Sequence, residues 1–202
     1  MKREKIKVAI TGGIGSGKST VVRYLQEKGF PVFSCDEIYK EIYSSNEYQS
    51  ELADVFPDCL IDGKIEKKLL TQKVFSDAEA LKKLNKLAHM RIMSVLYERM
   101  GNTPNDIAFA EVPLLFEGEY ENNFDKIIVV MRSREARIQA VALRDGVTAE
   151  AVQRRMDMQF NYNDAGNVKT LKERGCFIIE NNSTEDNLQK QVDNFLLTFF
   201  QQ

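Results

Sequence analysis

Five short and nearly all-apolar runs punctuate the chain: 7–11 (KVAIT), 31–35 (PVFSC), 107–112 (IAFAEV), 126–131 (KIIVVM) and 176–181 (CFIIEN). Runs that are apolar throughout, rather than alternating with polar residues, suit strands buried on both faces. Longer helical stretches separate them, which makes a parallel α/β sheet the economical architecture. The first helix is predicted to start inside the glycine-rich segment after the first run and to continue through VVRYLQEK. Val21, Val22 and Leu25 share one face of it, and Gly29 serves as its C-cap. The gap between the second and third runs is too long for one crossover. From about Ser45 to Met100 it reads as mostly helix, with a polar turn at Asp62-Gly63, then Leu69, Leu70, Val74, Leu81, Leu84 and Leu87. That block is predicted to be an inserted helical lobe. After the fourth run, RSREARIQAVALRDG predicts an arginine-rich helix, and a second follows, capped by Thr148 with Glu150 in its first turn.

Composition narrows the class. A length of 202 residues fits one domain, or one core with a sizeable insertion. Apolar residues make up 43% and charged residues 29%, with a formal net charge of -2, so no general nucleic-acid footprint is visible. Cys35, Cys59 and Cys176 show neither a metal-ligand spacing nor a disulfide framework. The opening MKREKIKVAIT is too short for a signal segment or a membrane span, and the cytoplasm is the default reading.

Gly12 to Ser19 reads GGIGSGKS, a full match to G-x-x-x-x-G-K-S/T, with a predicted strand before it and a helix after it. Glycines let successive backbone N–H groups point inward at phosphate oxygens, aided by the helix N-terminus. Lys18 is expected to reach the β- and γ-phosphates, and the Ser19 hydroxyl to sit on Mg²⁺, a cation that prefers oxygen ligands. Gly13, Gly15, Ser16, Gly17, Lys18, Ser19 and Thr20 are the candidate phosphate- and Mg²⁺-holding residues. The loop alone leaves two classes open, a small-molecule kinase and a nucleotide-hydrolysing switch. No N-K-x-D guanine-type motif is present, which weakens the switch reading.

Other residues bear on the choice. Asp36 follows the second predicted strand, where ligands of open α/β sheets bind. It has two readings: the group that orients an attacking hydroxyl and takes its proton, or the N-cap of the helix EIYKEIY. Glu111 ends the third strand, either as an outer ligand to hydrated Mg²⁺ or as a partly exposed strand-end acid. Arg137 and Arg144, seven apart, lie on one helix face. They form either a lid that closes over transferring phosphates or a solvated basic stripe. Asn181 or Asn182 could line an adenine pocket or form a polar turn.

Taken in order along the chain, these residues resemble the dephospho-coenzyme A kinase family. TGGIGSGKST resembles its phosphate loop, DEIYKEI the opening of its second helix, and IDGKIEKKLLTQKVFSD its Asp-Gly, basic, Leu, Val-Phe run. EVPLLFE resembles its Asp-x-Pro-Leu-Leu-Phe-Glu stretch, the arginine pair with RRMDMQ its lid, and FIIENNS the segment closing the adenine side. The resemblance implies a P-loop core (1–44, 101–132 and 166–202), a helical coenzyme A-binding lobe (45–100) and a helical lid (133–165). It implies the reaction of ATP with dephospho-coenzyme A, Mg²⁺ assisting; no nucleic-acid or membrane partner is expected, and the expected state is a monomer. Asp36 matches the catalytic acid, and Lys18 and Arg144 are the expected catalytic cations, with Arg137 beside them. Lys40, Lys67, His89 and Leu114 are the expected substrate contacts. Ser34 stands where the family has a first Asp, Lys40 and Lys67 where it has Arg, Glu111 where it has Asp, and His89-Met90 where it has His-Pro. After Gln159, FNYNDAGNVKTLKERG departs from the family pattern, and no site residue is assigned there. The alternatives are a P-loop kinase for a nucleoside monophosphate or another small alcohol, and a nucleotide-dependent binding protein.

Overall fold

The computed structural model describes residues 5–200. The apolar runs become β1 (Ile6–Thr11), β2 (Val32–Ser34), β5 (Ile107–Glu111), β6 (Lys126–Met131) and β7 (Phe177–Glu180), a five-stranded sheet in the order β2-β5-β1-β6-β7. β1 pairs in parallel with β5 (Ile6 opposite Ile107) and with β6 (Thr11 opposite Val129), and β6 pairs in parallel with β7. A small antiparallel hairpin, β3 (Leu60–Ile61) and β4 (Lys64–Ile65), stands apart. The helices are α1 (Lys18–Glu27), α2 (Cys35–Tyr43), α3 (Asn46–Val55), α4 (Lys67–Ser76), α5 (Ala78–Asn102), α6 (Arg134–Asp145), α7 (Ala149–Asp157), α8 (Ala165–Glu173) and α9 (Glu185–Phe200). The α/β class expected from the apolar runs therefore holds.

The chain divides into two compact units, one running to Val32 and resuming at Asn102, the other spanning Phe33–Gly101. In the first unit both sheet faces are covered, which is why its strands are apolar throughout. Val21 and Leu25 of α1, with Leu188, Val192 and Phe195 of α9, pack on Val8, Ile10, Phe109, Ile128, Val130 and Ile179. On the other face Val129, Ile127 and Ile178 meet Tyr162, Leu171 and Cys176. α1 ends as predicted: Gly29 has φ 83, its N–H donates to the Gln26 carbonyl, and the Phe30 N–H donates to the Leu25 carbonyl. Those two bonds satisfy carbonyls that the last helical turn leaves without partners. α6 and α7 pack about Val141, Val152 and Met156, and Thr148 caps α7 as predicted.

The second unit has a core of its own around Tyr48, Leu52, Phe56 and Leu70. Asp62-Gly63 does form a turn, with φ of 50 and 75, the paired positive values of a tight hairpin. Arg91 pairs with Glu47 and Glu51, and Arg99 with Glu41. The second strand is shorter than its apolar run because Ser34 caps α2, so Cys35 is already helical. No helix among the described residues is long and apolar enough to cross a membrane.

Candidate active site

The first unit carries the phosphate loop at the carboxyl end of β1. β1 is central in the sheet, with the chain crossing to β2 and β5 on one side and to β6 and β7 on the other. A loop leaving such a strand opens at the switch point where α/β sheets bind ligands. Its backbone leaves no choice of residue at two positions. Gly12 has φ 144, and a Cβ there would lie 2.2 Å from the Val130 carbonyl oxygen; Gly17 has φ 95, and a Cβ there would lie 2.2 Å from the Asn181 amide nitrogen. Gly17 is also the N-cap of α1, so Lys18, Ser19 and Thr20 form the first helical turn. The Thr20 N–H donates to the Gly17 carbonyl at 3.0 Å, and this first turn makes the positive end of the helix.

Lys18 folds over the loop, its Nζ donating to the Gly12 carbonyl at 2.7 Å. The Ser16 hydroxyl is buried and has no hydrogen-bond partner. A buried polar atom without a partner costs stability, and a phosphate oxygen would supply the missing bond. The donor set of lysine, hydroxyls and helix N-terminus therefore fits a triphosphate, and the Ser19 hydroxyl is exposed for a hard cation. Among the described residues no cluster of three or more His, Cys, Asp or Glu could hold a metal by itself.

Arg137 and Arg144 share a face of α6 but not an environment. Arg137 is 3% exposed and lies flat on Gly13, where a Cβ would come within 2.0 Å of its Nη2. Its Nε donates to the Ile14 carbonyl at 2.8 Å, and burial pulls its pKa below the ordinary arginine value. Arg144 is exposed on the last turn, held by Asp145 at 2.7 Å, while Arg155 takes the other Asp145 oxygen at 2.8 Å. That bond raises the Arg144 pKa and lowers that of Asp145. Asn181 donates to the Ser16 carbonyl at 2.9 Å, and Asn182 instead accepts the Ser133 N–H at 2.8 Å. Glu111 is half-buried at the end of β5, level with Ile10, and Leu114 is exposed just beyond it.

The second unit carries Asp36, Lys40, Lys67 and His89. Ser34 is the cap of α2, accepting from the Glu37 N–H at 3.5 Å, so the capping reading of Asp36 is corrected. Asp36 is an exposed first-turn carboxylate. Lys40 and Lys67, distant in sequence, line one cavity of about 460 Å³ with Tyr39, Tyr43, Leu70 and Val74. Apolar walls with two ammonium groups suit an anionic ligand that has an apolar stem. His89 is half-buried in α5, and burial lowers its pKa.

The sequence reading missed Ser34 as a cap and the segment after α7 as a neighbour of the loop. Ser34 could have been found, because serine two residues before an acidic first turn is a cap signal. The segment after α7 could not, because its loop partners lie 145 or more residues earlier.

Known proteins share this sequence pattern and fold. The sequence model of the dephospho-CoA kinase family matches residues 6–186. The dephospho-CoA kinase of Fusobacterium nucleatum is 34% identical over 193 residues, 95% of this chain and 97% of that one. That of Thermus thermophilus is 30% identical, over 94% of this chain and 90% of that one. A crystal structure from Thermus thermophilus superposes with a TM-score of 0.79 at 30% identity, covering 96% of this chain and 98% of the other. The dephospho-CoA kinase structure from Campylobacter jejuni gives 0.66 at 26% identity, with 96% of each chain covered.

Proposed function

The chain belongs to the dephospho-CoA kinase family, and from that premise we propose that it transfers the γ-phosphoryl group of ATP to the ribose 3′-hydroxyl of dephospho-coenzyme A, yielding coenzyme A. The observation that carries the reading is a complete phosphate loop, with its buried and unpartnered Ser16 hydroxyl, in a chain matched to the family over residues 6–186.

In this reading Gly13, Gly15, Ser16, Gly17, Lys18, Ser19 and Thr20 hold the triphosphate. Lys18 stabilises charge that gathers on the γ-phosphoryl oxygens as the bond to the β-phosphate breaks. Ser19, and Glu111 through water, would hold Mg²⁺, whose charge offsets that of the phosphates. Asp36 orients the acceptor hydroxyl and takes its proton as the oxygen attacks; its exposed carboxylate, relieved of capping by Ser34, supports this. Lys40 and Lys67 bind the acceptor's anionic groups from the cavity they share, with His89 and Leu114 as further contacts. Arg137, Arg144 and Asn181 serve the nucleotide. Residues 45–100 form the acceptor lobe and 133–165 the lid. In the same reading the protein is a cytoplasmic monomer, and its formal net charge of -2 speaks against a general nucleic-acid partner.

The test is ATP consumption with and without dephospho-coenzyme A, the product phosphate being located by mass and NMR, with nucleoside monophosphates as rival acceptors. The expected result is acceptor-dependent turnover and a 3′-phosphate. Hydrolysis independent of any acceptor would overturn the reading. Asp36→Asn should keep ATP binding and lower kcat by roughly 10²- to 10⁴-fold, the scale of a positioned base.

A further inference from the structure

The segment 159–163, QFNYN, has no role in the reaction as described, yet it touches the phosphate loop at Ile14, the strand end that leads into it at Thr11, and, through Arg137, the Ile14 carbonyl. Gln159 Oε1 accepts the Ile14 N–H at 2.8 Å. The Tyr162 hydroxyl, 2% exposed, shares a hydrogen bond with Thr11 Oγ1 at 3.3 Å. Asn163 Oδ1 accepts from Arg137 Nη1 at 3.0 Å, and the same guanidinium donates from Nε to the Ile14 carbonyl at 2.8 Å. Both backbone polar groups at the loop tip are thus held by side chains, while the Ile14 side chain packs beside Val141, Val152 and Met156. The segment is anchored in turn. The Phe160 N–H donates to Glu117 Oε1 at 2.8 Å, and the Phe160 ring lies 5.0 Å from both Phe116 and Tyr162.

A phosphate loop has reason to need such support. Its inward N–H dipoles repel one another when no anion lies between them, and glycines at positive φ have many other conformations open to them. A loop left to itself would pay for its ordering at the moment of binding.

We propose that Gln159, Tyr162 and Asn163 are positioning residues that impose the phosphate-binding shape on the loop before nucleotide arrives. The proposal rests on the kinase reading above. Preorganisation lowers the cost of binding, so losing the latch weakens the hold on ATP. It leaves the acceptor KM, and kcat at saturating ATP, close to wild type.

The experiment measures the ATP dissociation constant by calorimetry, steady-state kinetics and Tm for Gln159→Met, Tyr162→Phe, Thr11→Val and the Tyr162→Phe/Thr11→Val pair. Each single change is expected to raise Kd and KM for ATP roughly 3- to 10-fold, the scale of one hydrogen bond. The pair should cost less than the sum of the two single changes, because the two residues share one bond. An ATP Kd that stays at the wild-type value while Tm falls would make the latch mere packing and overturn the proposal, as would a parallel rise in acceptor KM. If Tyr162→Phe does not fold, Gln159→Met, at a half-buried position, decides alone. If the wild type makes no coenzyme A, the kinase reading fails separately, and the ATP Kd series still judges the latch.

Discussion

At Gly12 a single hydrogen stands where any other residue would place a carbon 2.2 Å from the Val130 carbonyl oxygen, at φ 144. Strain and overpacking add there, so Gly12→Ala should destabilise by at least about 2 kcal/mol, read from the denaturant midpoint. Arg144 offers the opposite case. Its pair with Asp145 is exposed and contributes little to stability, so Arg144→Lys should leave Tm unchanged. If Arg144 clamps phosphate, that variant should still lose activity, because Lys lacks the planar fork; unchanged kcat and KM for ATP would remove it from the site. The residues legible in the sequence were those whose chemistry is local. GGIGSGKS carries its strand, loop and helix together, so spacing alone identified it. Asp36 carried a cap reading as well as a chemical one, and Ser34 takes that cap. Tyr162 was invisible because its polar partner, Thr11, lies 151 residues away.

Helix ends were the most readable elements. Gly29 and Thr148 each carry the capping chemistry of their position. Ser34 extends the set, and Ser34→Ala should cost about 0.5 to 2 kcal/mol while Ser34→Asp stays near wild type, measured by chemical denaturation. The β3–β4 hairpin was legible only as its Asp62-Gly63 turn, because strands of two residues have no periodicity to detect. Within α5, burial holds the His89 pKa below its ordinary value. The unfolded chain therefore binds a proton more readily than the folded one. Stability is complete above about pH 6.5 and declines as pH falls below it. His89→Gln should show a shallower acid decline than wild type when midpoints at neutral and acidic pH are compared.

For the whole molecule, the apolar runs conveyed the parallel sheet, and the long gap after the second run conveyed a helical insertion. The strand order was not legible, because pairing is decided by which faces the helices cover. Leu81 shows the same limit: it fits the lobe's apolar pattern, yet it is 43% exposed. Ligand linkage acts at this scale too. ATP at a hundred times its Kd should add about 2.7 kcal/mol to unfolding free energy, and Lys18→Met should abolish most of that gain. A finer consequence follows from Ile14, whose N–H is held by the Gln159 side chain and by no strand or helix. Its exchange with deuterium requires only that the segment after α7 lift from the loop, an opening far smaller than global unfolding. That one amide is a built-in clock for the release of the segment after α7, and bound ATP should slow it.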